Sequence, residues 1–437
     1  MNIQQHELFL EPTSEQSHVK KNTRSARSGT FTDNMKLPVH RWFRYSAGFS
    51  AEWAEQVIKE YSPAAVLDPF AGSGTTLLAA EAAGAKAYGF ESHPFVARIA
   101  EAKIHWDHDP RRLLECADRI LMASVNARPV PEGDIPELMK KCYSPEVMQK
   151  LYALQQAYFI CSSDFDVEVS RLLWLAITAI LRPCSHVGTA QWQYVLPNKT
   201  KAKTLEPFFA FTQKVREMAA DMAELSRKAV RSDSIVFQHD SRREQELIEP
   251  NSIDLVVTSP PYPNNYDYAD ATRLEMTFWN EVKSWGDLQV VVRQHIIRSC
   301  SQHSTAERLK LDELLGDASV DAIRTELSAV CNELAEVRLT KGGKKAYHTM
   351  VAAYFYDLSR VLQGLRKVCK PGSTMCFVVG DSAPYGVYVP ADVWLGELAR
   401  AAGFESYSFE KLRDRNVKWK NRKHQVPLHE GRLWIRG

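Results

Sequence analysis

Two hydrophobic periods run along this chain. Short apolar or β-branched runs closed by an acid, a glycine or prolines read as buried strands at 64–67, 86–90, 254–258 and 374–379, and a weaker one ends at Asp240. Apolar residues spaced by three and four predict helices over 51–60, 77–83, 144–160, 167–181, 205–231, 269–281, 347–368 and 391–402. Ser50 stands where a cap for the first of these belongs, and Lys370-Pro371-Gly372 where the helix over 347–368 must stop. Two further strands, 404–409 and 433–436, close the carboxyl end. The pattern is that of an α/β protein. The helical matter between the strands ending at Glu91 and Asp240 exceeds what one crossover needs, which predicts an inserted lobe.

At the first strand end the pattern carries chemistry. The run 64–67 closes on Asp68-Pro69-Phe70-Ala71-Gly72-Ser73-Gly74-Thr75-Thr76, and the glycines let the backbone turn with positive φ and approach a ligand that a Cβ would block. No lysine follows them, which excludes a phosphate loop of the Walker type, and the dinucleotide fingerprint lacks its third glycine. A carboxylate here repels a pyrophosphate and attracts a cationic amino-acid group. Glu91 lies 23 residues beyond Asp68 at the tip of the second strand, where open α/β sheets hydrogen-bond a ribose diol. The run 254–258 ends in Ser259-Pro260-Pro261-Tyr262, where the prolines force the backbone out of the sheet and leave carbonyls with no competing N–H. A group bearing two N–H donors, such as an exocyclic base amine, fits that corner.

Composition narrows the classes. The chain has 437 residues, 45% hydrophobic and 25% charged, enough for a substantial core. Its formal charge is only +2, from 55 Lys plus Arg against 53 Asp plus Glu, so a nucleic-acid surface must come from local clusters. Candidates are Lys20, Lys21, Arg24 and Arg27 in the polar arm, which reads more readily as a solvated tail, and the run from Lys411 to His424, with seven Lys or Arg against one acid, which reads equally as a solvated face. The eight cysteines show neither zinc nor disulfide spacing, which favours reduced thiols and a cytoplasmic location, and the longest apolar stretch, 172–181, is about half a membrane span.

The residues also carry a resemblance. Asp68-Pro69-Phe70-Ala71-Gly72-Ser73-Gly74-Thr75-Thr76 resembles the S-adenosylmethionine loop of the DNA amino-methyltransferases, and Thr258-Ser259-Pro260-Pro261-Tyr262 resembles their catalytic motif. The resemblance implies a Rossmann-like class I methyltransferase sheet with helices on both faces and inserted helical lobes. It implies a catalytic domain from 36–110, 232–281 and 346–437, a helical insertion at 111–231, and a second at 282–345 available for target recognition, after a disordered arm at 1–35. S-adenosyl-L-methionine is then the cofactor, held by Phe49, Ser50, Asp68, Pro69, Phe70, Gly72, Gly74, Thr75, Thr76 and Glu91, with Asp240 either near its adenine or at the surface. Ser259, Pro260, Pro261 and Tyr262 are the implied catalytic residues. The implied partners are double-stranded DNA with a flipped target base and a restriction endonuclease, with no membrane. Serine ahead of the prolines leans toward cytosine N4; adenine N6 and an RNA or tRNA guanine N2 remain alternatives. Arg182-Pro183-Cys184 admits a cytosine-C5 reading with Cys184 as nucleophile, which the amine-binding corner disfavours.

Overall fold

The apolar runs become inner strands because their side chains are wanted on both faces of one sheet. The computed structural model describes residues 32–189, 194–227, 233–264, 266–302, 309–342, 345–415 and 426–437. In chain order its framework begins with helix α1 (Ala51–Tyr61), strand β1 (Ala65–Asp68), helix α2 (Thr75–Ala83), strand β2 (Lys86–Phe90) and helix α3 (Pro94–Ile104). A small ribbon of β3 (Val187–Thr189) and β4 (Val195–Thr200) follows. Then come β5 (Ser234–Phe237), β6 (Ile253–Thr258), β7 (Cys369–Gly380), β8 (Ser406–Arg415) and β9 (Leu428–Arg436).

Seven of these strands form one sheet in the order β5-β2-β1-β6-β7-β9-β8, parallel from β5 to β7 and antiparallel at β9 and β8. The expected Rossmann-like sheet is therefore present. From β1 the chain builds outward to β2 and β5, and from β6 to β7, so β1 and β6 flank the point where strand order reverses. In open α/β sheets ligands bind at the carboxyl ends of strands at such a point.

Alternation along the strands supplies two cores. Val66, Leu255, Val257, Cys376 and Val378 face a layer containing α1, α2 and α3, and the helices Pro110–Val125, Pro145–Cys161, Val167–Cys184 and Pro207–Leu225 extend that same core. Leu67, Val256, Met375, Phe377 and Val379 face the helices Tyr347–Val368 and Ala391–Ala401, joined by Leu311–Gly316 and Arg324–Thr340. Each insertion thus thickens one face. No helix among the described residues is long and apolar enough to cross a membrane.

Several local expectations are corrected. The polar arm was expected to run to residue 35, yet Asp33–Lys36 forms a 3-10 turn because Asn34 is buried, giving its amide to the Phe49 carbonyl and accepting from the Ala51 amide. Residues 269–281 are two short helices, Tyr268–Ala271 and Arg273–Phe278, broken at Thr272, whose hydroxyl meets the His93 ring at 2.9 Å. Lys370-Pro371-Gly372 interrupts β7 as an irregularity rather than preceding it, since Ile253 pairs with Cys369 and Leu255 with Thr374. The terminal hairpin is longer than its apolar residues suggest, reaching Arg415 opposite Leu428, so the basic run begins in a strand. The remainder of that run, residues 416–424, lies outside the described residues, as do residues 1–31.

Candidate active site

β1 delivers Asp68 to the carboxyl edge, and the turn behind it requires glycine at two points. Gly72 (φ 52°) and Gly74 (φ 87°) adopt left-handed backbone; a Cβ on Gly72 would stand 3.0 Å from the Tyr45 ring. The turn is sewn to the tip of β2, where the Ala71 amide donates to the Phe90 carbonyl at 2.9 Å and the Gly72 amide to Glu91 Oε2 at 2.9 Å. Glu91 Oε1 accepts from the His93 amide at 2.8 Å. Burial pushes the Glu91 carboxyl up to about 7, with these amides opposing. Each oxygen still has a lone pair for a hydroxyl.

Asp68 is arranged differently. It is fully buried, and both oxygens are bonded within the protein: Oδ2 accepts from the Thr76 hydroxyl at 2.7 Å, and Oδ1 from the Thr258 hydroxyl at 2.5 Å and the Phe70 amide at 3.0 Å. Burial raises its carboxyl to about 6 against those three bonds. One side chain therefore ties β1, α2 and the last residue of β6 together. It does not face the cleft described next.

A cleft lies over the reversal point, where open α/β sheets bind their ligands. Phe70, Gly72 and Thr75 line it from the first motif, with Phe49 and Glu91 beside them, and Ser259 and Pro261 from the second, so both motifs share one space. Ser50, Pro69, Gly74 and Thr76 are placed as support: the Ser50 hydroxyl accepts from the Trp53 amide at 3.3 Å to cap α1, and the Pro69 carbonyl accepts from the Ser241 hydroxyl at 2.5 Å. Asp240 caps a 3-10 turn and grips the Arg242 guanidinium at 2.7 and 2.8 Å, leaving Ser241 in the cleft wall.

At the second motif the Ser259 hydroxyl donates to the Val378 carbonyl of neighbouring β7 at 3.1 Å. Its proton is thereby committed, the Tyr262 phenol is a second partner of the same hydroxyl, and one lone pair remains. Pro260 is buried behind it. The chain then passes to Tyr262, whose ring packs on Gly380 and lies under the Arg415 guanidinium at 5.0 Å. Burial, with Glu430 adding, raises the Tyr262 phenol far above its ordinary value, so it stays protonated.

Sequence reasoning missed one whole wall. Ile296 and Ile297, within the second insertion, close the cleft near Phe90 and Ser241. They are held by ion pairs on either side: Arg293 donates to Asp267 at 2.6 Å, and Arg298 to Asp357 at 2.5 Å. Asp357 is fully buried, takes a second guanidinium from Arg242 at 3.0 Å, and is held below the usual carboxylate range because the two arginines outweigh its burial. The only signal in the sequence was an apolar pair between Arg293 and Arg298. Cys184 is buried, and burial raises its thiol to about 12, so it is no nucleophile.

These residues fit S-adenosylmethionine: glycines that admit a close ligand, a half-buried acid with free lone pairs, and aromatic and aliphatic walls. A family model described as DNA methylase matches residues 5–102. The chain is similar to the Type II methyltransferase M.BsoBI of Geobacillus stearothermophilus, 24% identical over 88% of this chain and 82% of that protein. It is similar to the Type II methyltransferase M.AvaI of Nostoc, 25% identical over 86% of this chain and 81% of that protein. M.MvaI of Kocuria varians is 20% identical over 88% and 85% of the two chains. No solved structure matches. The family match and these relatives support the resemblance to the N4/N6 DNA amino-methyltransferases and support a DNA methyltransferase, without separating cytosine N4 from adenine N6.

Proposed function

We propose that this DNA methyltransferase is site-specific and methylates an exocyclic base amine in double-stranded DNA, cytosine N4 by preference, with the target base turned out of the helix. The observation that carries the reading is the state of Ser259, which lines the same cleft as Gly72 and Glu91 while its proton is spent on the Val378 carbonyl. An amine attached to a base ring is a poor nucleophile because its lone pair is delocalised. The Ser259 hydroxyl oxygen and the Pro260 carbonyl each accept one amine N–H, which draws the lone pair back onto nitrogen. By analogy with oxyanion-hole donors, each such acceptor is worth about 2–4 kcal/mol in the transition state. S-adenosylmethionine, when bound, supplies an electrophilic methyl group on a sulfonium.

Gly72 and Gly74 leave room for that cofactor, Glu91 accepts from its ribose, and Phe49 and Phe70 cover it. Inside a duplex the amine is out of reach of this corner, so the base must leave the stack, and Tyr262 offers it a ring to rest on. The Type II names of the relatives make a restriction endonuclease of the same specificity the partner we propose.

Expressing the protein, digesting cellular DNA to deoxynucleosides and identifying the modified one by mass and by retention time against standards tests the reading; N4-methyl-2′-deoxycytidine is expected. N6-methyladenine would keep the mechanism and change the target, and no modified base would remove both. Ser259→Ala is expected to lower turnover at least about tenfold with cofactor affinity unchanged.

A further inference from the structure

The first insertion carries one element that joins no larger sheet. β3 and β4 pair only with each other, as an antiparallel ribbon apart from the seven-stranded sheet. A two-stranded ribbon has little stability of its own, so its place depends on how its ends are tied. At the foot of β3, Val187 is buried in the core of the insertion, and the Cys142 carbonyl accepts from the His186 amide at 3.2 Å and the Ser185 hydroxyl at 2.9 Å. Just past β4, the Lys201 amide donates to the His186 carbonyl at 2.8 Å and its ammonium to the Arg182 carbonyl at 2.7 Å. Arg182 in turn grips Glu275 at 2.9 Å and the Ala271 carbonyl at 2.8 Å, on the two short helices beyond the proline corner. At the start of β4, the Tyr194 hydroxyl accepts from the Asp267 amide at 2.6 Å and its ring stands edge-on to Tyr266 at 6.3 Å. Asp267 caps the helix that carries Tyr268, a residue of the cleft wall. The ribbon is therefore fixed to the same segment that shapes the site.

From Val187 to Leu205 the chain carries three lysines and no acid. Lys201 is spent at the foot; Lys199 and Lys203 are exposed, with no acidic partner among the described residues. The register slips between Val187, which pairs with Thr200, and Gly188, which pairs with Leu196, so the β4 residues between those partners bulge out of the ladder. Bulges re-aim side chains. Asn198 and Lys199 lie in this one and are exposed, which sets an amide that both donates and accepts beside a free cation. The second insertion, the other stretch available for target recognition, has the opposite sign. From Leu311 to Arg338 it carries seven Asp or Glu against two Arg, while Leu314, Val320, Leu327 and Leu334 are spent in the core. A surface so charged repels a polyanion.

We infer that the β3–β4 ribbon is the element that reads duplex DNA beside the cleft: Lys199 and Lys203 meet phosphates, and Asn198 meets a base edge in the major groove. The inference rests on the DNA reading above and locates its recognition element. The major groove admits a two-stranded ribbon, and a side-chain amide there pairs with adenine through one donor and one acceptor. Phosphate contacts set register and orientation, and the base contact supplies choice. Because the ribbon and the cleft wall share one anchor at Asp267, the base that is read and the base that is taken stand at a fixed separation.

Titration of the full chain with a labelled mixed-sequence DNA duplex over a series of salt concentrations tests the phosphate contacts. The double variant Lys199→Gln, Lys203→Gln is expected to bind about tenfold or more weakly, with the slope of log affinity against log salt reduced by about 2. The double variant Lys341→Gln, Lys345→Gln removes the same charge from the exposed end of the second insertion, and is expected to stay within about twofold of wild type. Unchanged affinity in the first variant, or equal losses in both, overturns the assignment. Loss of S-adenosylmethionine affinity in the first variant would make its lysines structural and overturn it too. Mapping methylated positions in the DNA of the expressing host tests the base contact: Asn198→Ala is expected to accept several bases at one position where the wild type requires one, and an unchanged map overturns that contact. A wild-type protein that leaves host DNA unmodified overturns the methyltransferase reading itself, whereas modified DNA with an unaltered lysine variant overturns the ribbon alone.

Discussion

At the end of the cleft walled by Ile296 and Ile297, the charges answer one another within the protein: Asp357 sits between Arg298 and Arg242, and Arg242 also holds Asp240. At the end under Tyr45, Lys103 has a backbone carbonyl and no carboxylate partner among the described residues. The first network is closed, so it can fix a wall but has no charge left for a ligand. The second is open, so its burial opposes the fold rather than supporting it. Similar residue types, buried to similar degrees, are thus assigned different work by whether their partners are already present.

The largest test of this contrast is Asp357→Asn, which leaves two guanidinium groups facing a neutral amide. Loss of about 3–5 kcal/mol of unfolding free energy is expected in urea denaturation. Lys103→Met, which removes a buried cation with no carboxylate partner among the described residues, is expected to leave the unfolding free energy unchanged or raised, and equal losses at both positions would erase the distinction.

A pH series sharpens the contrast because the two carboxylates shift in opposite directions. Glu91 is raised to about 7 by burial, so the folded protein favours its protonated form. Its contribution is present below the ordinary glutamate range and is lost as pH rises through 7. Asp357 is held low, so its contribution is present above the ordinary aspartate range and is lost as pH falls through its lowered value. Between pH 5 and 8 the wild-type protein should lose about 2 kcal/mol more stability than Glu91→Gln, measured on the ligand-free protein. Parallel curves would mean that Glu91 is not desolvated in solution. The smallest effect is expected of Asp240→Asn: under about 1 kcal/mol in stability and less than about a twofold change in cofactor affinity, since that carboxylate is spent on Arg242 at a partly exposed site. A tenfold loss of affinity would restore it to the adenine.

What could be read from the sequence was local. The acid-ended strands, the glycine turn and the proline corner each lie within a few residues, and the sheet follows from their order. What escaped depends on distant partners. Asp68 points inward because Thr258, on a strand formed much later in the chain, reaches it with a hydroxyl. The acceptor for Ser259 is a carbonyl of β7, which only strand pairing brings alongside. Ile296 and Ile297 looked like part of a recognition lobe until Asp267 and Asp357 anchored their segment over the cleft. The break at Thr272 likewise answers to His93, on the other side of the molecule's first insertion.

The guanidinium of Arg415 over Tyr262 gives the ring a companion before any nucleobase arrives. That guanidinium also donates to the Asp381 carbonyl at 2.7 Å, so one side chain both covers the ring and ties β8 to the end of β7.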